Sequence, residues 1–444
     1  MSEIVLNRIY HLQNPDNCST ARKAICGHFL AGMGASLHHW VYCFIYAYYT
    51  NRTMLIDTSQ WKYLRNVISK DGVKDFHQFF LPISKCSYTD QDKNIAVPWN
   101  NSTLMDSTDV ANTPQVIRLP HIGVIYRGMP RPPKNAHYAM PEEIFYNVIK
   151  YKYKPMAWWV GFFAKYLIRP NNQLQQFIDQ SRKDFQFQSP IVGLHIRRTD
   201  KAEENKLYNI DQYMNKVNAY FNSLAKRNIT VKRRVFVITD EPFRISMLKK
   251  KYKNYQFIHP PLSQLKADTY TTRYSANNLK YFLRDVFLLA ECDYLVITLS
   301  SNVGKVAYEL HEVLYNHTLS QHYTSLDWDY QFFGHNPNDG PWIMQANQNC
   351  SNNMTDGIDL MKGDYLESCT VVNKTQDICY GYSKRLRKSG YFHQSCTTYL
   401  IDNEDYPDYS QFDISTHWNK SDDQHPTFSD TTCMKSSIND DNLI

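Results

Sequence analysis

The stretch that decides the fold is residues 189–206, SPIVGLHIRRTDKAEENK. Its mostly apolar run from Ile191 to His195 reads as a buried strand, and Arg197, Arg198, Thr199, Asp200 and Lys201 follow it almost at once. Glu203 and Glu204 come next, and residues 210–226 carry apolar side chains at helical spacing. A strand that ends in two guanidiniums, an ammonium and several carboxylates places chemistry at its C-terminal end. That end is the edge at which open α/β sheets bind ligands. Arginine suits a phosphate there, because its planar fork makes two parallel hydrogen bonds. The plain alternative is a salt-bridged strand end followed by a solvated helix start.

Working outward, residues 186–316 alternate strands and helices. After the first strand (190–196) and its helix come the strand RRVFVITD (233–240), a helix through 247–252 and the strand YQFIH (255–259). A helix over 277–290, the strand DYLVITLSS (293–301) and a helix over 303–315 complete the run. Such alternation predicts an α/β fold with a doubly wound parallel sheet. Two more strand ends carry polar groups, Thr239-Asp240-Glu241 and Ser300-Ser301-Asn302. Each alone reads as a helix N-cap. Three on one edge read as a nucleotide site.

Towards the N-terminus, Gly32 and Gly34 form a turn ahead of an apolar helix over 37–49, which leads into a strand over 53–57. Backbone N–H groups at such a helix start suit a diphosphate, although a GxG turn is also ordinary close packing. His38 and His39 are expected as packed histidines. Residues 60–135 read as an irregular polar loop, and 141–185 as helix broken into three by Pro155 and Pro170, with Trp158 and Trp159 in the core. Residues 335–410 carry short β-like runs and turns. Beyond about residue 405 the chain is rich in Ser, Asp, Asn and Thr and is expected to be disordered.

At 444 residues and 43% hydrophobic content the chain can bury a large core in two or three domains. A net charge of +6 without an extended basic face excludes a nucleic-acid groove and suits a locally held anion. The 10 cysteines form no CxxC pair, which argues against a structural zinc site. They gather at the two ends of the chain, with Cys292 alone on a predicted helix, as disulfides would. Asn-x-Ser/Thr acceptors at Asn17, Asn51, Asn100, Asn101, Asn228, Asn316, Asn349, Asn353, Asn373 and Asn419 point with them to a secretory compartment. The first residues read as neither signal peptide nor anchor.

The segments VGLHIRRTDK, RVFVITDEP, RYSANNLKYFLRDVFLLAECDYLVITLSSNVGKVAYEL and LHHWVYCFIYAYYTNRTMLI, with SQWKY, MAWWVGFFAKYLIRP and MKGDYLES…GYSKRLRKSGY, carry a resemblance over most of residues 10–400. They resemble the metazoan core α-1,6-fucosyltransferases and, more distantly, bacterial chito-oligosaccharide fucosyltransferases. The resemblance implies a GT-B-like architecture: an open α/β and helical domain (1–185), a Rossmann-type domain (186–333), a small SH3-like β-barrel (334–404) and a disordered tail (405–444). It implies metal-independent, inverting transfer of fucose from GDP-fucose to O6 of the Asn-linked GlcNAc of an N-glycan on a glycoprotein. No cofactor is expected. The setting implied is the Golgi lumen, with the family's membrane anchor absent from this chain, and the resemblance is compatible with a homodimer.

Carried over by position, His195 and Arg197 fall on nucleotide-sugar contacts, with Arg197 the diphosphate clamp aided by the amides of Gly32 and Gly34. Asp200, Lys201, Tyr213 and Asp240 fall on catalytic positions. Phe282, Asp285, Ser301 and Asn302 fall on the donor side, Asp285 and Ser301 at its guanine and ribose. Asp327 falls on an acceptor contact. The loop between Lys201 and Tyr213 is one residue shorter than the family's, so its catalytic glutamate is Glu204 or Glu203, and Glu204 is the expected one. Glu241 stands for an aspartate and Asn302 for a glutamine. The family's glycan-touching histidine is replaced near Ile378, and Met33 and Ala35 stand where it has a cysteine knot. Its pattern pairs Cys18 with Cys86 and Cys26 with Cys43. It leaves the C-terminal cysteines unexplained. The departures keep two other readings open: an inactive relative that binds GDP-sugar or glycan, and a fucosyltransferase with a different acceptor.

Overall fold

The computed structural model describes residues 1–27, 31–59, 61–64, 76–98, 113–119, 140–148, 151–152, 154–198, 207–265, 273–315, 322–327, 330, 343–373, 378–383, 385–399, 403–404 and 407–413. Two parallel sheets hold most of it. The first runs β2-β1-β4-β3, from β1 (Lys23–Cys26), β2 (Thr53–Ile56), β3 (Val97–Pro98) and β4 (Val116–Leu119). The second runs β10-β9-β6-β7-β8, from β6 (Ile191–Ile196), β7 (Arg234–Thr239), β8 (Gln256–Ile258), β9 (Tyr294–Ile297) and β10 (Tyr323–Ser325). Between β4 and β6, β5 (Met140–Pro141) pairs in parallel with β16 (Asn403–Glu404). A third sheet is antiparallel, in the order β14-β13-β12-β11-β15, from β11 (Ile343–Ala346), β12 (Tyr365–Asn373), β13 (Ile378–Ser383), β14 (Lys388–His393) and β15 (Thr397–Tyr399).

Period-two alternation builds the second sheet. Val192, Leu194 and Ile196 of β6 join Val235, Val237 and Val296 in a core with α7 (Ile210–Lys226) and α8 (Phe243–Lys251). Ile191, Phe236, Ile238, Leu295 and Ile297 face the other way, onto α9 (Ala276–Ala290) and α10 (Asn302–Leu314). Both faces are covered, as a parallel sheet requires.

The α9/α10 face belongs to a core that continues into the N-terminal half. α1 (Ser2–Gln13), α2 (Met33–Tyr49) and α5 (Pro155–Leu167) all contribute, while α3 (Asp90–Ile95), α4 (Glu142–Val148) and α6 (Asn172–Asp184) complete that half. α2 is buried on every side, so its sequence is apolar all round. α5 lies against α10 at Gly161, where a Cβ would sit 2.2 Å from Glu309 O and 2.6 Å from Val313 Cγ2. Glu309 itself is wholly buried, 2.9 Å from His38 Nε2 of α2, and accepts from Tyr330 OH at 2.8 Å. Lys152 donates to the carbonyls of Glu312 and Tyr315 at 2.8 and 2.6 Å, capping the C-terminal end of α10.

Most expected elements form, and the three helices of 141–185 break at Pro155 and near Pro170. Trp158 and Trp159 are core residues. Several expectations are corrected. Residues 60–135 are not merely a loop, since they carry α3, β3 and β4; β4 is only four residues long, and its pairing with β1 is non-local. α2 starts at Met33, not residue 37, and β9 stops at Ile297, well short of residue 301. Cys292 lies just past α9, buried and outside any disulfide, with its thiol donating to Leu288 O at 3.3 Å.

Of the tail expected to be disordered, residues 407–413 dock on the N-terminal half. Tyr409 OH donates to Tyr48 O at 2.6 Å, and Arg8 makes a two-pronged ion pair with Asp413 at 2.6 and 2.8 Å. Residues 414–444 lie outside the described residues. Disulfides join Cys18 to Cys86 and Cys26 to Cys43, and a third joins Cys350 to Cys396. His39 sits beside Cys26 and Cys43, but the two sulfurs are bonded to each other and offer a metal no thiolate. Among the described residues no helix is long and apolar enough to cross a membrane.

Gly161→Ala should destabilise the fold by about 1–3 kcal/mol, because the added methyl meets backbone that cannot turn aside. Denaturant unfolding measures it, and a wild-type midpoint would contradict the α5–α10 contact.

Candidate functional site

The alternation that builds the β6–β7 core continues past the strand ends. Two residues on from β6 positions facing α9 and α10 come His195 and Arg197, and two on from Ile238 of β7 comes Asp240. Arg197 Nη1 donates to Asp240 Oδ2 at 2.6 Å. The same carboxylate takes the backbone N–H of Arg198 at 3.0 and 3.2 Å, so it fixes both the guanidinium and the turn beneath it. On the opposite face Arg198 pairs with Glu241 at 3.3 Å and donates to the carbonyl of Tyr208, and Arg244 reaches Glu241 at 2.7 Å. The two adjacent arginines thus have separate jobs. Arg198 is tied down by side chain and loop, and Arg197 is aimed from the α9/α10 face.

His195 is 3% exposed, and its Nδ1 has no hydrogen-bond partner among the described residues. Burial pushes the imidazole down to about 4, with the Arg197 charge adding to the effect and Asp240 opposing it, so the ring is neutral at pH 7. Against it stands the first turn of α10. A Cβ on Gly304 would lie 3.3 Å from His195 Nδ1 and 2.9 Å from Thr298 O, so only glycine lets the helix start approach the strand this closely. Ser301, the N-cap, is buried and makes no side-chain cap.

The start of α2 meets the start of α10. A Cβ on Gly34 would fall 3.0 Å from Asn302 Cβ and 3.1 Å from its carbonyl carbon. Gly32 is the N-cap of α2 and likewise caps nothing by side chain, while Met33 N–H donates to Tyr63 OH at 2.9 Å. Two helix N-termini, one from each half, therefore converge beside His195. Together they present positive dipole ends and first-turn amides, of which Met33 N–H is taken by Tyr63 OH, an arrangement that favours an anion.

The remaining expected residues fall around this point. Tyr213, on α7, is buried, and its hydroxyl is pushed up by burial and by the Asp327 carboxylate. Asp327 follows β10 and binds the loop before α10, accepting from Leu299 N–H at 2.8 Å and from the Ser300 hydroxyl. Asp285 of α9 is held by Arg284 at 2.8 Å, yet burial pushes its carboxyl up to about 6. Leu289 of α9 lies over Gly193, with Cδ1 2.7 Å from where a Cβ would be. One helical turn before Leu289, about 6 Å, matches two strand residues, about 6.6 Å, so Asp285 comes level with His195 on the same face. Phe282 packs half-buried on that core. Asp285 and Phe282 share the face without a hydrogen bond to the Arg197 group among the described residues. Asp200, Lys201, Glu203 and Glu204 lie outside the described residues.

Sequence reasoning missed Ser325, Tyr208 and Gly304. Gly304 left a usable signal, a glycine in the first turn of an otherwise strong helix. Ser325 and Tyr208 left none, because their roles depend on which strands are neighbours.

The model of the α-(1,6)-fucosyltransferase N- and catalytic domains matches residues 1–331, so the chain belongs to the α-(1,6)-fucosyltransferase family, whose members are glycosyltransferases. It is 36% identical over 338 residues to the α-(1,6)-fucosyltransferase of Drosophila melanogaster, covering 76% of this chain and 51% of that protein. It is 30% identical over 319 residues to that of Caenorhabditis elegans, covering 70% of this chain and 53% of that protein. The chain thus spans about half the length of the curated relatives it matches. Among solved structures it is similar to the fucosyltransferase NodZ from Bradyrhizobium, with a TM-score of 0.37 and 16% identity over 65% of this chain and 92% of that one. A score of that size carries no argument about the site.

Asp240→Ala would leave a guanidinium and a backbone N–H without their acceptor. We expect a loss of about 1–3 kcal/mol in denaturant unfolding, and unchanged stability would contradict the pairing that orients Arg197.

Proposed function

We propose that the chain transfers fucose from GDP-fucose to O6 of the Asn-linked GlcNAc of N-glycans, with inversion and without a divalent ion. The observation that carries this is Arg197, held on Asp240 at 2.6 Å beside the converging N-termini of α2 and α10. The family match and the names of the curated relatives support the donor and the linkage. On this reading residues 1–185 form the open α/β half, 186–333 the Rossmann-type half and 334–404 an SH3-like barrel built on the antiparallel sheet, working in the Golgi lumen.

The chemistry needs three things. The bond from the anomeric carbon to the β-phosphate oxygen must break, and the departing GDP needs positive potential set in place beforehand. Arg197 supplies it with its guanidinium charge, and the first-turn amides of α10 and α2 add theirs. Asp240 is thereby a positioning residue, because reorienting a loose arginine during the reaction would cost the preorganisation that makes it useful. On the nucleotide side, the buried Asp285 carboxylate receives guanine N–H donors, and Ser301 lies at the ribose. The acceptor O6–H is a weak nucleophile, so a carboxylate must take its proton as the new bond forms on the face opposite GDP. Glu204 is the residue we assign to that step. As the anomeric carbon passes through an oxocarbenium-like state, one bond forms and one breaks, and the configuration inverts.

The test is turnover of GDP-fucose with a GlcNAc-terminated biantennary glycopeptide in the presence of EDTA, for wild type and Arg197→Ala. We expect product with the wild type and a loss of about 100-fold or more with the variant. Wild-type protein that binds GDP but makes no product would instead support the inactive-relative reading, and product dependent on added metal would contradict the charge assignment. Product only with another glycan would move the acceptor.

A further inference from the structure

The resemblance puts Asp327 at an acceptor contact, and four hydrogen bonds tie its carboxylate to the corner between β9, β10 and α10. Oδ1 accepts from Leu299 N–H at 2.8 Å, from Ser325 Oγ at 2.8 Å and, at 3.4 Å, from Ser300 N–H. Oδ2 accepts from the Ser300 hydroxyl. A carboxylate has about four lone-pair sites, and these four donors engage both oxygens. Three of the four belong to the loop between β9 and α10. The fourth, Ser325, is part of the same clamp: its hydroxyl also accepts from Leu299 N–H at 3.2 Å and from Asp327 N–H at 3.3 Å. The neighbouring Leu326 N–H donates to Ile297 O at 3.0 Å, so the end of β10 is stitched to the end of β9 along this whole corner.

From this we infer that Asp327 is a positioning residue for the donor half of the site, setting the loop that carries Ser301 and the first turn of α10. The inference rests on the reading of that turn as the diphosphate-binding end.

The loop has little freedom to be set otherwise. Ser301 N–H bonds Thr298 O at 3.1 Å, Gly304 lies against His195, and Asn302 lies against Gly34, where a Cβ would come 3.0 Å from Asn302 Cβ. Removing the carboxylate takes the shorter bond from Leu299 N–H, leaving it the 3.2 Å one to Ser325 Oγ, and takes the Asp327 bonds from the Ser300 amide and hydroxyl. The loop is then held less firmly, and the helix start loosens with it. An anion held by that turn senses a change there.

The experiment is calorimetric titration of GDP into the whole chain as wild type, Asp327→Ala, Asp327→Asn and Ser300→Ala, with the acceptor KM measured at saturating GDP-fucose. Asp327→Ala should raise the GDP Kd about tenfold, since exposing unpaired loop amides costs about 1–3 kcal/mol and each tenfold step is about 1.4 kcal/mol. Asp327→Asn keeps an oxygen for Leu299 N–H and should recover most of the affinity. Ser300→Ala loses one bond and should shift the Kd by about two- to threefold in the same direction. The acceptor KM should stay within about twofold throughout. If Asp327→Ala does not fold, the asparagine and serine variants carry the same comparison. A GDP Kd unchanged in every variant, or an acceptor KM that rises while the GDP Kd holds, overturns the assignment. Wild-type protein that fails to bind GDP overturns the donor reading at an earlier step, before any variant is compared.

Discussion

One ion pair sets the geometry of the site: Arg197 on Asp240, at the ends of two neighbouring strands. It exists because β6 and β7 are paired in register, His195 against Ile238 and Ile196 against Thr239, so residues just past each end arrive together. Period-two alternation then sorts them by face. Arg197 and Asp240 go to the α9/α10 side, Arg198 and Glu241 to the other. A one-residue slip in that pairing would exchange the two arginines and aim the wrong one into the cleft. The strongly apolar β6–β7 core is what forbids the slip, so the packing of Val192, Leu194, Val235 and Val237 is indirectly a condition on function.

The same constraint extends across the molecule. The N-terminal half does not hang beside the second sheet; it shares a core with it, through α5 on α10, the buried His38–Glu309–Tyr330 group and Lys152 capping the end of α10. Burying Glu309 is costly in isolation, and the two partners offset that cost only in this arrangement. The result is a helix, α10, whose C-terminal end and flank are fixed by one half while its first turn faces the strand ends of the other. The positions of Gly304 and Gly34 follow from it, since each is a glycine because backbone or a strand end lies where its side chain would be.

Much of this was legible in the sequence. The βαβ alternation after residue 186 and the proline breaks at 155 and 170 read correctly, since each depends on local periodicity or a local backbone rule. What stayed hidden depended on long-range pairing. β4 is four residues in a polar stretch and becomes a strand only because β1 lies beside it. Residues 407–413 have a composition typical of a free tail, yet Tyr409 and Asp413 find Tyr48 and Arg8 some 360 to 405 positions away. At the site, nothing local marks the Asp327 carboxylate as bonded to the loop before α10, because β9 and β10 become neighbours only in the folded sheet.

The central claim is that a charge fixed at the β6 tip, with two helix N-termini, receives the diphosphate of the donor. The most direct measurement is the structure of the chain with GDP bound. The account predicts β-phosphate oxygens about 3 Å from the Arg197 guanidinium and from first-turn amides of α10, with Asp240 still holding the arginine from behind. A nucleotide bound elsewhere, or one whose phosphates point away from Arg197 while α2 and α10 are unchanged, would contradict it.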